Sequence, residues 1–98
     1  MPAYLIVNYQ VEKPDLYGEY AAAAGPVLKI GEACQLVALD PASEAIEGEP
    51  GPQTVMLRFD SKEQAREAYE SGAYQEIVGK RHDATSKHFA VLVEGLPG

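Results

Sequence analysis

Both histidines of the chain and three of its eight Lys and Arg residues lie within ten positions, in the stretch GKRHDATSKH at 79–88. Histidine exchanges protons near neutral pH, so His82 and His88 are the candidate catalytic groups. The planar guanidinium of Arg81 could hold the carboxylate of a ligand. A plain connector explains the same stretch, because a helix C-terminus favours cations.

Metal binding by this stretch is not indicated. The spacing of His82, Asp83 and His88 matches no known ligand motif. Cys34 is the only cysteine, so the chain has neither a disulfide framework nor a thiolate cluster for zinc. We therefore expect no metal and no cofactor.

The elements that would position these residues can be read from hydrophobic periodicity. Alternating residues predict strands at 3–11, 33–39, 54–59 and 87–94, with a short edge extension at 44–47. Spacings of three and four predict a helix that starts near Pro14 and is closed by Gly31, and further helices at 61–71 and 73–81. Pro26 predicts a kink or break near Gly25 in the first helix, and Ser61 begins a capping box in the second.

The order of these elements is strand, helix, two strands, helices, strand. This is the βαββαβ ferredoxin-like plan of the α+β class, an antiparallel sheet with its helices on one face. Ninety-eight residues are the length of a single domain, 1–98.

The two faces of the predicted sheet differ in polarity. We expect the more apolar set to meet the helices: Leu5, Val7, Tyr9, Val55, Leu57, Phe59, Phe89, Val91 and Val93. The other set mixes apolar and polar side chains: Tyr4, Ile6, Met56, Ala90, Leu92, Asn8, Arg58 and His88. A large uncovered apolar face marks an interaction surface. A second copy of the chain would cover it and form a two-fold dimeric α/β barrel.

Polar members of the second face are candidate ligand-binding residues. Asn8, Arg58 and His88 lie on strands that neighbour one another in this plan, and Tyr4 could offer a hydroxyl to a cavity. For the first three we favour the alternative role of hydrogen bonding across a dimer interface. For Arg81, on the core stripe of its helix, the alternative to ligand binding is a structural ion pair.

Charge and hydropathy exclude other partners. A net charge of −7 and the absence of a long basic stripe disfavour nucleic acid and anionic membrane surfaces. No apolar run is long enough to span a bilayer, and the N-terminal residues lack signal-peptide features. We expect a cytoplasmic protein.

Four segments resemble the domain of unknown function 1330 family: AYLIVNYQVEKPDLYGEY, VMLRFDSKEQAREAYES, YQEIVGKR and VLVEG. The resemblance implies a small dimeric α/β-barrel protein. The wider superfamily includes cofactor-free monooxygenases, isomerases and dehalogenases as well as binding proteins. Fold alone does not choose among them.

Two hypotheses for function follow. The first is a homodimer that binds a small organic anion in a cavity between the sheet and its surroundings. In this hypothesis the ligand lies between the sheets of the two subunits. The second is a cofactor-free enzyme acting on such an acid, in which His88 or His82 moves protons and Arg81 holds the carboxylate.

Overall fold

The computed structural model describes residues 1–97 of the chain. In chain order the elements are β1 (Ala3–Val11), α1 (Pro14–Leu28), β2 (Gln35–Asp40), β3 (Gln53–Phe59), α2 (Lys62–Glu70), α3 (Gly72–Ala84) and β4 (Thr85–Glu94). Residues 41–52 join β2 to β3 without regular structure, so the predicted extension at 44–47 is wrong.

Helix boundaries follow local chemistry. The hydroxyl of Ser61 accepts a hydrogen bond from the backbone N–H of Gln64 (3.1 Å), which caps α2 as predicted. Helix α1 continues through Pro26 to Leu28, beyond the predicted break. It ends because Lys29 adopts a left-handed backbone conformation (φ 54°), two residues before Gly31.

The four strands form one antiparallel sheet in the order β2-β3-β1-β4. The three helices cover one face of it. This confirms the predicted ferredoxin-like α+β fold.

The core lies between the helices and that face of the sheet. Its largest fully buried side chains are Tyr9, Phe59 and Tyr74, one each from β1, β3 and α3. Leu5, Val7 and Leu57 complete the sheet side, as the alternation in β1 and β3 predicts. The helices contribute Tyr20, Ala24, Leu28, Ala65 and Val78.

The predicted orientation of β4 is wrong. Its Leu92 lies opposite Leu5 and its Ala90 opposite Val7, so these two residues share the helix side of the sheet with the core. Both alternating sets of β4 are apolar, so period-two patterning did not distinguish them. The register is decided by pairing with β1, which shifts between Asn8 and Gln10, near the left-handed Lys87.

The other face of the sheet, here called the open face, has no helix over it within residues 1–97. It carries Tyr4, Ile6, Met56, Arg58, Phe89, Val91 and Val93. The last three side chains are 48%, 44% and 39% exposed, which is high for large apolar residues that sit side by side. Among residues 1–97, no helix has the length and hydropathy needed to cross a membrane.

Candidate functional site

A pocket of about 200 Å³ lies on the helix side of the sheet, between α1 and the strands β2, β3 and β1. Its walls are apolar side chains from every one of these elements: Leu5, Val7, Ala21, Ala24, Leu28, Ile30, Leu36, Leu39, Val55 and Leu57. Among residues 1–97, the polar side chains of its lining are four tyrosines and one arginine: Tyr9, Tyr17, Tyr20, Tyr74 and Arg81. An apolar cavity with a few convergent polar groups is the usual form of a small-molecule site.

Arg81 reaches the pocket from the last turn of α3. It follows Tyr74 by seven residues and Val78 by three, a spacing that puts all three on the buried side of the helix. Its side chain is only 3% exposed. The guanidinium carbon lies 5.6 Å from the ring centroid of Tyr9 and 5.8 Å from that of Tyr20. These are cation–π distances, and they hold the group in place.

The charge of Arg81 has no acidic partner within residues 1–97. The ion pairs within 4 Å in that part of the chain are Arg58–Asp60 and Lys80–Glu19. Arg81 instead donates from Nη1 to the hydroxyl of Tyr74 (3.3 Å), and its Nε–H is buried without an acceptor in the described residues. A buried charge without a counter-charge costs several kcal/mol.

Loss of a proton does not relieve that cost, because Arg81 stays charged. Burial by itself lowers the pKa of Arg81, but the surrounding tyrosines outweigh burial and the pKa lies above its usual value. Burial also raises the pKa of Tyr9, Tyr20 and Tyr74. At neutral pH the tyrosines are therefore uncharged while the guanidinium is charged, which leaves one net positive charge at this end of the pocket.

The tyrosine hydroxyls form two hydrogen-bonded pairs, Tyr9 with Tyr17 (2.7 Å) and Tyr20 with Tyr74 (2.6 Å). Tyr17, Tyr20 and Tyr74 were not among the residues predicted from sequence to bind a ligand. A signal was available: the two tyrosines of α1 are three residues apart, and Tyr74 shares the helix face of Arg81.

Tyr4 and Arg58, predicted to bind a ligand, lie directly opposite each other on the open face. The Arg58 side chain is 40% exposed and stands 3.8 Å from the carboxylate of Asp60. Neither residue lines the pocket that holds Arg81. The structure thus separates these two predicted residues from Arg81 by the thickness of the sheet.

Asn8 does not line the pocket either. Its side chain forms hydrogen bonds that hold the end of the connection between β2 and β3 against β1. Its side-chain amide donates to the carbonyl of Gly51 and to the hydroxyl of Thr54, both at 2.9 Å. The backbone N–H of Gly51 donates back to Oδ1 of Asn8 at 2.7 Å. Both amide hydrogens and the side-chain oxygen of Asn8 are therefore hydrogen-bonded within the fold.

His82 and His88 stack on each other, with ring centroids 5.1 Å apart. Nδ1 of His88 is 3.2 Å from the hydroxyl of Thr85, and Nε2 of His82 is 3.4 Å from Nη2 of Arg81. Both side chains are exposed, and neither lines the pocket. His88 is two residues before Ala90, on the helix side, so the predicted cluster of His88 with Asn8 and Arg58 does not form.

The environment of His82 disfavours its protonated form. Burial lowers the pKa of His82, the positive charges of Arg81 and His88 lower it further, and Asp83 opposes them. Among residues 1–97, no group of three or more His, Cys, Asp and Glu side chains has a geometry that could hold a metal.

The fold and this cavity define a ferredoxin-like protein with a tyrosine-lined, arginine-bearing pocket beneath its first helix. Over residues 2–96 the chain matches the family described as a domain of unknown function (DUF1330), and it belongs to that family. No curated protein matches the chain in sequence.

Solved structures share the fold at low sequence identity. RPA0582, a protein of unknown function from Rhodopseudomonas palustris, aligns over 99% of this chain and 84% of its own, with a TM-score of 0.79 and 15% identity. A variant of SnoaB, a cofactor-independent oxygenase from Streptomyces nogalater, aligns over 99% of this chain and 95% of its own, with a TM-score of 0.69 and 8% identity. A dimeric ferredoxin-like protein of unknown function from Bacteroides fragilis aligns over 96% of this chain and 96% of its own, with a TM-score of 0.65 and 11% identity. These likenesses show the fold.

Proposed function

We propose that the protein is a homodimer that binds a small organic anion in the pocket beneath α1, with Arg81 as the anchor for the negative group. The observation that carries the proposal is the buried guanidinium, which faces a preformed cavity without a carboxylate partner in residues 1–97. An anion would supply the missing counter-charge. It would also give the Nε–H of Arg81 an acceptor.

Physical chemistry supports binding at this position. An ion pair formed in a desolvated pocket is stronger than one in water. Because the guanidinium is already buried and held over two aromatic rings, its desolvation and ordering are completed during folding rather than on binding. One hydroxyl hydrogen of the Tyr20–Tyr74 pair is used within the pair, and the other is left to donate to an oxygen of a carboxylate.

This proposal moves the ligand from the position expected from sequence. The cavity lies between the sheet and the helices of one chain rather than between two sheets. Of the predicted ligand-binding residues it retains Arg81. We assign Tyr4 and Arg58 to the open face, and Asn8 to fastening the connection at Gly51.

The homodimer is proposed from the open face. Phe89, Val91 and Val93 form a continuous apolar strip with Ile6 and Met56, which are their neighbours across β1 and β3. A two-fold interface uses the same patch on both subunits, so this strip would pack against its own copy. The fold neighbour from Bacteroides fragilis is itself described as dimeric. Two sheets packed through these faces would form the α/β barrel.

A cofactor-free enzyme acting on the bound acid is the second candidate. It is favoured by one contact, His82 Nε2 to Arg81 Nη2, which brings a titratable group to the anchor of the pocket. SnoaB, with the same fold, is a cofactor-independent oxygenase. Binding without turnover fits the geometry better, because the pocket lining within residues 1–97 includes no histidine and no carboxylate to accept a proton.

The experiment is calorimetric titration of the purified protein with acetate, phosphate and benzoate. At least one anion should bind, and Arg81→Met should weaken its binding by at least about 10-fold. Arg66→Met removes the same charge from an exposed site on α2 and should leave binding unchanged. Arg58→Met tests the site expected from sequence and should also bind normally. Absence of any binding that depends on Arg81 would refute the proposal.

Turnover is tested with the anion that binds. Incubation with wild-type protein and with His82→Gln, followed by mass spectrometry of the small molecule, separates the two candidates. Unchanged ligand in both samples supports a binding protein. A product that forms with wild type and not with His82→Gln would establish the enzyme.

A further inference from the structure

The two ends of the pocket lie over different strands of the sheet and differ in polarity. Arg81 stands over Tyr9 of β1, whereas Leu36 and Leu39 line the opposite end on β2, the edge strand. Neighbouring strands are about 4.8 Å apart, so two spacings separate these ends by roughly 10 Å. One end is charged and the other is apolar.

The β2 end is where the pocket opens to solvent. Leu36 and Leu39 are 45% and 58% exposed even though both line the cavity. Arg81, at the other end, is 3% exposed. A ligand that enters over the edge strand would therefore pass these leucines with its charged group leading and leave its apolar body against them.

The pocket offers one positive charge and no second cationic group within residues 1–97. Its middle is formed by Leu28, Val55 and Leu57, which provide no partner for a second negative group. The whole chain carries a net charge of −7, which also disfavours multiply charged anions. Volume sets the size of the apolar part: an apolar cavity of roughly 150 Å³ accepts benzene, and this pocket measures about 200 Å³.

We infer that the pocket selects monocarboxylates with a rigid apolar body about the size of one six-membered ring, held with the carboxylate at Arg81 and the ring between α1 and β3, and admitted over Leu36 at the edge strand. This inference rests on the proposed function and names its class of ligand. Small inorganic anions lack the apolar body, and dicarboxylates carry a second negative charge for which the pocket has no partner. They bind weakly.

The ligand class is tested by calorimetry with five probes on the full chain. Benzoate and cyclohexanecarboxylate should bind at least about 10-fold more tightly than acetate, since burial of the ring adds apolar contact area. Terephthalate should bind at least about 10-fold more weakly than benzoate, because its second carboxylate falls among leucines. Benzyl alcohol, which has the ring without the charge, should also bind at least about 10-fold more weakly than benzoate.

The route of entry is tested by Leu36→Trp, which should slow or weaken benzoate binding by narrowing the opening. Val37→Trp is the matched control, because Val37 is also exposed on β2 but does not line the pocket. Circular dichroism of both variants serves as the control for correct folding. Wild-type behaviour of Leu36→Trp in rate and affinity would overturn this route.

The outcomes separate the two levels of proposal. Acetate or phosphate that binds through Arg81 as tightly as benzoate would overturn the ligand class and leave the anion site standing. Terephthalate equal to benzoate would do the same. If none of the anions binds in a manner sensitive to Arg81→Met, the anion site itself falls, and the ligand class falls with it.

Discussion

Arg81 and Tyr74 lie seven residues apart on one face of α3 and are joined by a hydrogen bond from Nη1 to the phenolic oxygen. This contact puts a permanent cation next to a hydroxyl that is also bonded to Tyr20. No acid in residues 1–97 neutralises the cation. A fold selected only for stability would not need a charge here, because an apolar side chain would fill the space without a desolvation penalty.

Arg81→Met should therefore leave the free energy of unfolding of the ligand-free protein unchanged or raise it by up to about 2 kcal/mol. The variant loses two cation–π contacts, but it also loses an uncompensated buried charge. Urea denaturation in a buffer without small organic anions measures the difference. A loss of more than about 2 kcal/mol would assign Arg81 a structural role.

Val91→Glu should dissociate the proposed dimer. Val91 sits in the middle of the open face, opposite Ile6, and a two-fold interface would bring both introduced carboxylates into an apolar contact. We expect the dissociation constant to rise at least about 100-fold, as measured by sedimentation velocity over a dilution series.

The matched control for that variant is Ile46→Glu. Ile46 is 87% exposed in the connection between β2 and β3, outside the strands of the open face. It should sediment like wild type. A wild-type protein that stays monomeric at every concentration would remove the basis for the dimer.

Asn8→Ala should lower the free energy of unfolding by about 1–3 kcal/mol. It deletes a buried amide that makes three hydrogen bonds, and it leaves the N–H and carbonyl of Gly51 without that partner. Thermal or urea unfolding measures the loss.

Gly51→Ala tests the same junction from the other side and should destabilise more. A Cβ at this position would lie 2.3 Å from the carbonyl carbon of Tyr9, a backbone atom that is fixed in the sheet. Gly72→Ala is the control, because a Cβ there meets no atom within 4 Å. Equal stability of the two glycine variants would contradict this account of the junction.

The stability of the fold should decrease as pH falls below about 6.5, in part through His82. Partial burial of this imidazole lowers its pKa, Arg81 and His88, which face it, lower the pKa further, and Asp83 opposes them. Between the folded and unfolded pKa the unfolded chain binds more protons, so unfolding becomes easier as pH drops through that window. Above the unfolded-state pKa, His82 is uncharged in both states, and its contribution to the free energy of unfolding no longer changes with pH.

The comparison of wild type with His82→Gln isolates this effect from the titration of other groups. Urea denaturation at a series of pH values should show a steeper decline for wild type between pH about 7 and about 5. Parallel curves for the two proteins would mean that the environment of His82 is the same in the folded and unfolded states.

Much of the fold could be predicted from local rules. Alternation in β1 and β3 was sufficient to identify their buried faces, because one alternating set in each includes polar residues such as Asn8 and Arg58. The Ser61 cap and the core position of Arg81 follow from spacing within one helix. In β4 the rule failed, since Phe89, Val91 and Val93 are as apolar as a buried strand face although they lie on the open face.

The sequence by itself determined the element order, the ferredoxin-like plan and the placement of Arg81 on a core-facing stripe, because each depends on periodicity within a single element. Only the tertiary structure decided which face β4 turns to the helices, that Asn8 fastens Gly51, and that the cavity lies beneath α1 with Tyr20 and Tyr74 around Arg81. Those features join residues more than 40 positions apart. Such contacts depend on strand register and helix docking, which no local pattern contains.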